Sequence, residues 1–165
     1  MKDITKEIDF TGEYFVPGKS GDRIEDDHMA RYIFASNFVK DCTVLDIACG
    51  FGYAGPLLIK SGASKYLGVD INTNLVENAK SLYGRDNVFY IIGDICKYKS
   101  SELFDVVICF ETIEHVKEYE VALGSLYHAI KEDGVLLISS PNRHITSPDA
   151  KNIWDPPANP HHTQE

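Results

Sequence analysis

An apolar pair, Val44-Leu45, leads into Asp46, and a glycine-rich turn, Gly50-Phe51-Gly52, follows. Pro56-Leu57-Leu58-Ile59 then opens a helical pattern. A strand that ends in glycines and opens a helix is a nucleotide-binding turn. Glycine lets the backbone come close to a ligand, and a helix N-terminus offers unpaired N–H groups. Gly50, Gly52 and Gly55 formally fit G-x-G-x-x-G, with Asp70 about 20 residues further on, as dinucleotide binding requires. Two more acidic residues shift the reading. Asp46 precedes the glycines, where a carboxylate would repel a pyrophosphate and attract an ammonium group. Asp94, in Gly93-Asp94-Ile95, closes the third strand pattern and borders the place of an adenine. Singly, each aspartate reads as a cap or turn residue. Together, Asp46, Asp70 and Asp94 mark the carboxyl ends of successive strands, over which open α/β sheets bind ligands. The implied ligand has a positive head, a ribose diol and a base, and no phosphates. S-adenosylmethionine fits that description.

A second polar cluster, Glu111-Thr112-Ile113-Glu114-His115, follows the fourth strand pattern. In a helical turn Glu111, Glu114 and His115 share one face. Two carboxylates and an imidazole suit a divalent ion such as Mg2+ or Mn2+. The bare alternative is proton management without a metal, with His115 as general base and Glu111 beside it.

The elements that must position these residues alternate along the chain. A helix is expected over 25–39, with Tyr32, Ala35 and Val39 on one face and Asp26 and Asp27 at its favourable N-terminal end. Strands are expected at 43–47, 66–69, 88–92, 104–110 and 135–139. Helices are expected over 56–60, 73–83 and 119–131, with Asp133-Gly134 as a turn. Val106-Val107-Ile108-Cys109 is the near-continuous apolar run of a buried parallel strand. The alternation implies one parallel sheet with helices on its faces. Residues 1–24 read as an irregular arm or lid whose Tyr14-Phe15-Val16 is apolar. Residues 25–140 read as the ligand-binding domain. Residues 141–165, with Pro141, Pro148, Pro156, Pro157 and Pro160, read as a loop or tail.

The 165 residues are 44% hydrophobic and 25% charged, the proportions of one ordinary globular domain. A net charge of −9 gives no bulk attraction for phosphate backbones or anionic membranes, which favours small-molecule acceptors over nucleic acid. Cys42, Cys49, Cys96 and Cys109 form no C-x-x-C pair, and reduced thiols in a cytoplasmic setting are expected. No apolar run reaches membrane-spanning length, and residues 1–7 lack an apolar signal core.

Residues 43–140 resemble the class I S-adenosylmethionine-dependent methyltransferases. Val44 to Gly52 is similar to the family's first motif, Gly68-Val69-Asp70-Ile71 to the second and Gly93-Asp94-Ile95 to the third. Phe104 to Cys109 resembles the fourth, and Asp133 to Ile138 the strand-five motif. One departure is Ala48, where the family more often has glycine; little loss is expected from so small a side chain. The resemblance implies a Rossmann-like sheet. It implies that Asp46 and the backbone of Ala48, Cys49, Gly50 and Gly52 hold the methionine end, and that Asp70, with Ile71 beside it, takes the ribose. Asp94 and Ile95 would border the adenine, and Phe51, Tyr53 or Phe110 would lie near the sulfonium.

The E-x-x-E-H pattern is similar to that of ubiquinone-biosynthesis O-methyltransferases. It is also similar to small-RNA terminal 2′-O-methyltransferases, in which a distant histidine completes a metal site. That likeness implies a metal set of Glu111, Glu114, His115 and His162. The flanks Gly12 to Gly18, then His28, Arg31-Tyr32 and Phe34-Ala35, with Ser140 to Arg143 and Asn159 to His162, resemble bacterial and archaeal methyltransferases found near glycosyltransferases, which implies a hydroxyl acceptor on a small molecule or sugar. The family sheet has strands six and seven, and neither is legible before Glu165. The fifth strand would then be an edge that a second copy or a partner covers. The competing readings are a non-catalytic or partner-completed cofactor-binding module and a nicotinamide-dependent oxidoreductase.

Overall fold

The computed structural model describes residues 22–152 and 155–163. The expected arm or lid, with Tyr14 and Phe15, lies outside them. Helix α1 (Asp22–Ala35) passes through a short 3-10 turn at Ser36–Phe38 into strand β1 (Thr43–Ile47). There follow α2 (Ala54–Lys60), β2 (Lys65–Asp70), α3 (Thr73–Tyr83), β3 (Val88–Ile92) and β4 (Phe104–Phe110). A 3-10 turn at Ile113–His115 precedes α4 (Tyr119–Ala129), β5 (Ile130–Ser139) and α5 (Arg143–Thr146). The strands form one sheet in the order β3-β2-β1-β4-β5, every neighbouring pair parallel. This is the expected α/β sheet, with five strands among the described residues.

Alternation along each strand builds two cores. Val44, Tyr66, Val88, Tyr90, Val106 and Ile108 face α1, α2 and α3, meeting Tyr32, Ala35, Leu58, Val76 and Ala79. Leu45, Ile47, Val69, Val107 and Cys109 face the other way, onto Ala122, Leu126 and Ala129 of α4. Helix α3 starts cleanly because the Asn72 side chain accepts hydrogen bonds from the N–H groups of Asn74 and Leu75. At the far end of the sheet the Asp105 carboxylate accepts from the Thr43 N–H and hydroxyl and pairs with Lys131, at 2.8, 2.7 and 2.6 Å. The starts of β1, β4 and β5 are thereby tied together.

Four elements differ from the sequence expectation. Helix α1 ends at Ala35, short of the expected Val39, and a 3-10 turn follows. Helix α4 ends at Ala129 and not at Lys131, and β5 begins at once with Ile130 paired to Phe104. The register then slips, so that Val106 pairs with Val135, and Asp133-Gly134 lies inside an irregular strand rather than a free turn. A Cβ on Gly134 would stand 2.5 Å from the Ile130 side chain, so the close passage itself calls for glycine. The tail is also more than a loop. Asn142 caps α5, and the Arg143 guanidinium donates to the carbonyl of Asp155 at 2.6 Å. β5 is an edge strand with Val135, Leu136 and Ile138 exposed. No helix among the described residues is long and apolar enough to cross a membrane. All four cysteines are free thiols.

Gly68 sits in β2 beneath the ligand turn, and a Cβ there would lie 2.7 Å from the Tyr90 ring and 2.8 Å from the Cys49 sulfur. Gly68→Ala is therefore expected to cost about 1–3 kcal/mol through overpacking, read as a lowered denaturation midpoint.

Candidate active site

The turn after β1 runs through left-handed backbone at Ala48 (φ 62°), Gly50 (φ 54°) and Gly52 (φ 77°). Ala48 fits sterically, but an alanine in this region carries backbone strain of roughly 1–2 kcal/mol that glycine would not. Gly52 is needed twice over, since a Cβ would also strike Ala79 and Tyr90. The Tyr90 hydroxyl donates to the Gly52 carbonyl from below, and the Gly52 N–H donates to the Cys49 carbonyl. The turn is therefore held from inside. Gly52, expected to touch ligand, is a packed pivot and not part of the cavity wall.

Above the strand ends lies a groove in two compartments. The first, about 270 Å³, is bordered by the Ala48-Cys49-Gly50 backbone, Tyr53, Asp70, Ile71 and Phe110. The second, about 680 Å³, is bordered by Gly93, Asp94 and Ile95. Ala48, Ile71, Thr112 and His115 border both. Asp70 is buried in the wall of the first compartment, next to the shared Ile71. Its Oδ2 accepts the Gly50 N–H and its Oδ1 the Asn72 N–H, each at 2.8 Å. Burial raises its carboxyl pKa, against these backbone donors. Asp94 accepts the Cys96 N–H at 2.9 Å and pairs with Lys97 at 2.8 Å, and these bonds hold its pKa below the ordinary value.

Asp46 departs from expectation. It is fully buried, borders neither compartment, and accepts the hydroxyls of Tyr66 at 2.6 Å and Tyr32 at 3.1 Å. Register explains why. Asp46 stands opposite Gly68, two residues short of Asp70 along β2. It therefore lies about 7 Å deeper in the sheet. Burial pushes its pKa up to about 7, against the lowering effect of the two phenols. It cannot meet a ligand ammonium there. Its consequence is indirect: by holding Tyr32 it docks α1, which brings His28, Arg31 and Tyr32 to the first compartment.

None of those three α1 residues was picked out from the sequence as a site residue. The signals were Tyr32 on the predicted buried face of α1 and the family resemblance that His28 and Arg31-Tyr32 carry. Tyr32 meets Tyr53 and Phe110 edge-on, with ring centroids 5.4 Å apart in both pairs. Phe51 is buried and also borders the compartment. Asn72, Leu75 and Thr112 complete the wall without having been expected.

The E-x-x-E-H cluster does not form one helical face. Glu111 has left-handed backbone (φ 46°), and only Ile113–His115 coil, as a 3-10 turn. The Glu111 carboxylate turns toward Arg31, at 3.1 Å, and accepts the Ser139 hydroxyl at 2.7 Å. Glu114, His115 and His162 do converge, each offering a ligand atom within 4.8 Å of the others. Glu114 is buried, its Oε2 has no hydrogen-bond partner among the described residues, and burial raises its pKa. Of the four expected metal ligands, three come together and Glu111 does not.

A parallel sheet ordered 3-2-1-4-5, with a glycine turn, a buried acid at the end of β2 and a two-part groove over its strand ends, defines a Rossmann-like domain. A methyltransferase-domain family matches residues 38–163. The chain belongs to that family, whose class is the S-adenosylmethionine-dependent methyltransferases. It is similar to the ubiquinone biosynthesis O-methyltransferase of Rickettsia canadensis, 33% identical over 110 residues, which cover 65% of this chain and 46% of that protein. It is also similar to a Mycolicibacterium smegmatis protein assigned as an S-adenosylmethionine-dependent methyltransferase, 32% identical over 123 residues, covering 74% and 45%. The chain thus spans less than half the length of either relative. The structure of DhpI in complex with SAH matches with a TM-score of 0.62 at 22% identity, covering 75% of this chain and 61% of that one.

Because the Asp46 pKa is raised in the folded state above its ordinary 3.8, its contribution to stability is fully present below that value. It is lost as the pH rises through about 7. Asp46→Asn is expected to flatten the fall in stability between these two pH values, measured by denaturant unfolding across the range. A slope equal to that of the parent protein would contradict the assignment.

Proposed function

We propose that this chain carries the S-adenosylmethionine-binding and methyl-transfer part of an enzyme that methylates a hydroxyl of a small molecule or sugar precursor. The observation that supports this most is the two-part groove, with Asp70 in the wall of the first compartment and Ile71 and His115 bordering both halves. In this reading Asp70 takes the ribose hydroxyls, and Asp94 and Ile95 border the adenine. The Ala48–Gly50 backbone receives the methionine end. With Asp46 sealed in the core, Arg31 and Glu111 are the oppositely charged pair facing a zwitterion in the first compartment. The edges of Tyr32, Tyr53 and Phe110 shape the wall beside them.

S-adenosylmethionine, when bound, supplies an already activated methyl group, so the protein mainly positions the acceptor and takes its proton. His115 would take the proton of the acceptor hydroxyl as the methyl group is transferred.

Glu114, His115 and His162 also fit a divalent ion, because a buried carboxylate oxygen without a partner lies beside two imidazoles. With Glu111 elsewhere, the set is richer in nitrogen than the sequence implied, which favours Mn2+ over Mg2+. Such an ion would acidify a hydroxyl acceptor. The second reading, a module completed by a second copy or partner, is favoured by the exposed apolar residues of the β5 edge. Cofactor binding without turnover on any hydroxyl acceptor would select it.

S-adenosylhomocysteine is expected to raise the thermal midpoint and NAD to leave it unchanged; stabilisation by NAD alone would overturn the cofactor assignment. Asp70→Ala is expected to weaken S-adenosylhomocysteine binding by about 10- to 100-fold, the worth of lost charge-assisted hydrogen bonds. Calorimetric titration with Mn2+, S-adenosylhomocysteine present, should show saturable binding that Glu114→Gln removes. The absence of saturable heat in the parent protein would sink the metal.

A further inference from the structure

Helix α4 packs on the sheet through Ala122, Leu126 and Ala129. A second face, Val121, Gly124, Ser125 and His128, borders an open groove of about 630 Å³. The segment 96–100, between β3 and β4, forms the opposite wall with Lys97, Tyr98 and Lys99. The volume is that of a small-molecule site. Cys96, Lys97 and Val121 also border the second compartment, so the two spaces adjoin.

Charge and one glycine set this groove apart from ordinary surface. The protein has a net charge of −9, yet two lysines and a histidine border the groove and no Asp or Glu among the described residues does. Gly124 stands inside α4, where glycine weakens a helix relative to alanine. Packing does not call for it, because a Cβ there would meet no atom within 4 Å. Its effect is to leave the helix backbone bare on the floor of the groove, where a ligand can approach closely.

We propose that this groove binds a phosphate-bearing small molecule, its anion between Lys97, Lys99 and His128 and its apolar body against Gly124, Val121 and Tyr98, and that it communicates with the cofactor site through Lys97. Two ammonium groups beside an imidazole suit the double charge of a phosphate better than a single carboxylate. Lys97 is the link because it serves both spaces. Its ammonium pairs with Asp94 at 2.8 Å, and its side chain is 84% exposed, so little packing holds it there. A phosphate in the groove competes for that ammonium. Asp94 Oδ2 then loses its partner and is open to the adenine amine, a step that rests on the reading of Asp94 as bordering the adenine. The anion and S-adenosylmethionine therefore favour each other's binding.

Calorimetric titration of phenyl phosphate into the whole 165-residue protein, at fixed ionic strength and without cofactor, tests the site by itself. Saturable binding of one equivalent is expected, tighter than that of inorganic phosphate. Lys99→Glu and Gly124→Leu are each expected to weaken it about tenfold or more, while Gly124→Ala keeps or raises the thermal midpoint. Absence of saturable heat, equal affinity for inorganic phosphate, or unweakened binding in either variant overturns the proposal. Should Gly124→Leu fail to fold, Lys99→Glu, at an exposed position, decides alone. With phenyl phosphate saturating, S-adenosylhomocysteine is expected to bind about 5-fold tighter, and Lys97→Ala to remove the difference. Equal affinity with and without phenyl phosphate overturns the coupling. A protein that takes phenyl phosphate but not S-adenosylhomocysteine refutes the cofactor reading and leaves the groove site standing, so the two failures are distinct.

Discussion

The groove depends on a carboxylate that is sealed away from it. Asp46 is closed off between the sheet and α1, and the hydroxyls of Tyr66 and Tyr32 both donate to its Oδ2. A buried carboxylate without such donors would cost several kcal/mol, so the two phenols are obligatory partners and not decoration. Tyr66 belongs to β2 and Tyr32 to α1. Their shared acceptor fixes where α1 lies across the sheet and therefore where His28 and Arg31 stand. Burial and Arg31 hold the His28 pKa below its ordinary value, which favours a neutral imidazole there and leaves Arg31 as the cation opposite Glu111.

The same layer carries a second support. Tyr66 packs edge-on against Tyr90, centroids 5.7 Å apart, and Tyr90 reaches up to the Gly52 carbonyl. Gly52, Gly55 and Gly68 all lie where a Cβ would strike the Tyr90 side chain, at 2.6, 2.5 and 2.7 Å. The glycines of the turn therefore answer to two demands. Some free the backbone for left-handed conformations, and some make room for the ring that holds the turn from beneath. The pattern G-x-G-x-x-G cannot distinguish the two, which is why Gly52 looked like a ligand contact and is a pivot.

The sheet was legible because parallel strands buried on both faces write themselves as apolar runs, as at 104–110 and 43–47. Asp70 was legible for a similar reason: it ends its strand, and the residue at the end of a strand lies at the groove. Asp46 was misread because its distance from the strand end depends on register with β2, and no single strand carries that information. Its face was in principle visible, two residues from the buried Val44, but the glycines that follow drew the eye to the ligand. The end of α4 was missed because Ile130 and Lys131 suit a helix as well as a strand, and pairing with Phe104 decides between them. His28 and Arg31 carried a family resemblance but not a place at the groove, since nothing local to them says that a carboxylate 15 to 18 residues away pulls their helix over the pocket.

The E-x-x-E-H cluster shows how spacing misleads when backbone conformation is unknown. Helical spacing puts Glu111, Glu114 and His115 on one face, yet the left-handed backbone at Glu111 breaks the helix before it starts. The break serves both halves. Glu111 is thrown across to Arg31 and Ser139, which links the ends of β4 and β5 to α1. Glu114 and His115 are left on a single 3-10 turn, and such a turn holds its side chains weakly on its own. That weakness makes the hydrogen bonds from Thr163 and the His161 carbonyl informative. A short turn presenting a buried acid and a histidine needs outside support to fix their orientation, and here Ile113 and Val116 pack on the core while Thr163 and His161 bond the turn from the far end of the chain.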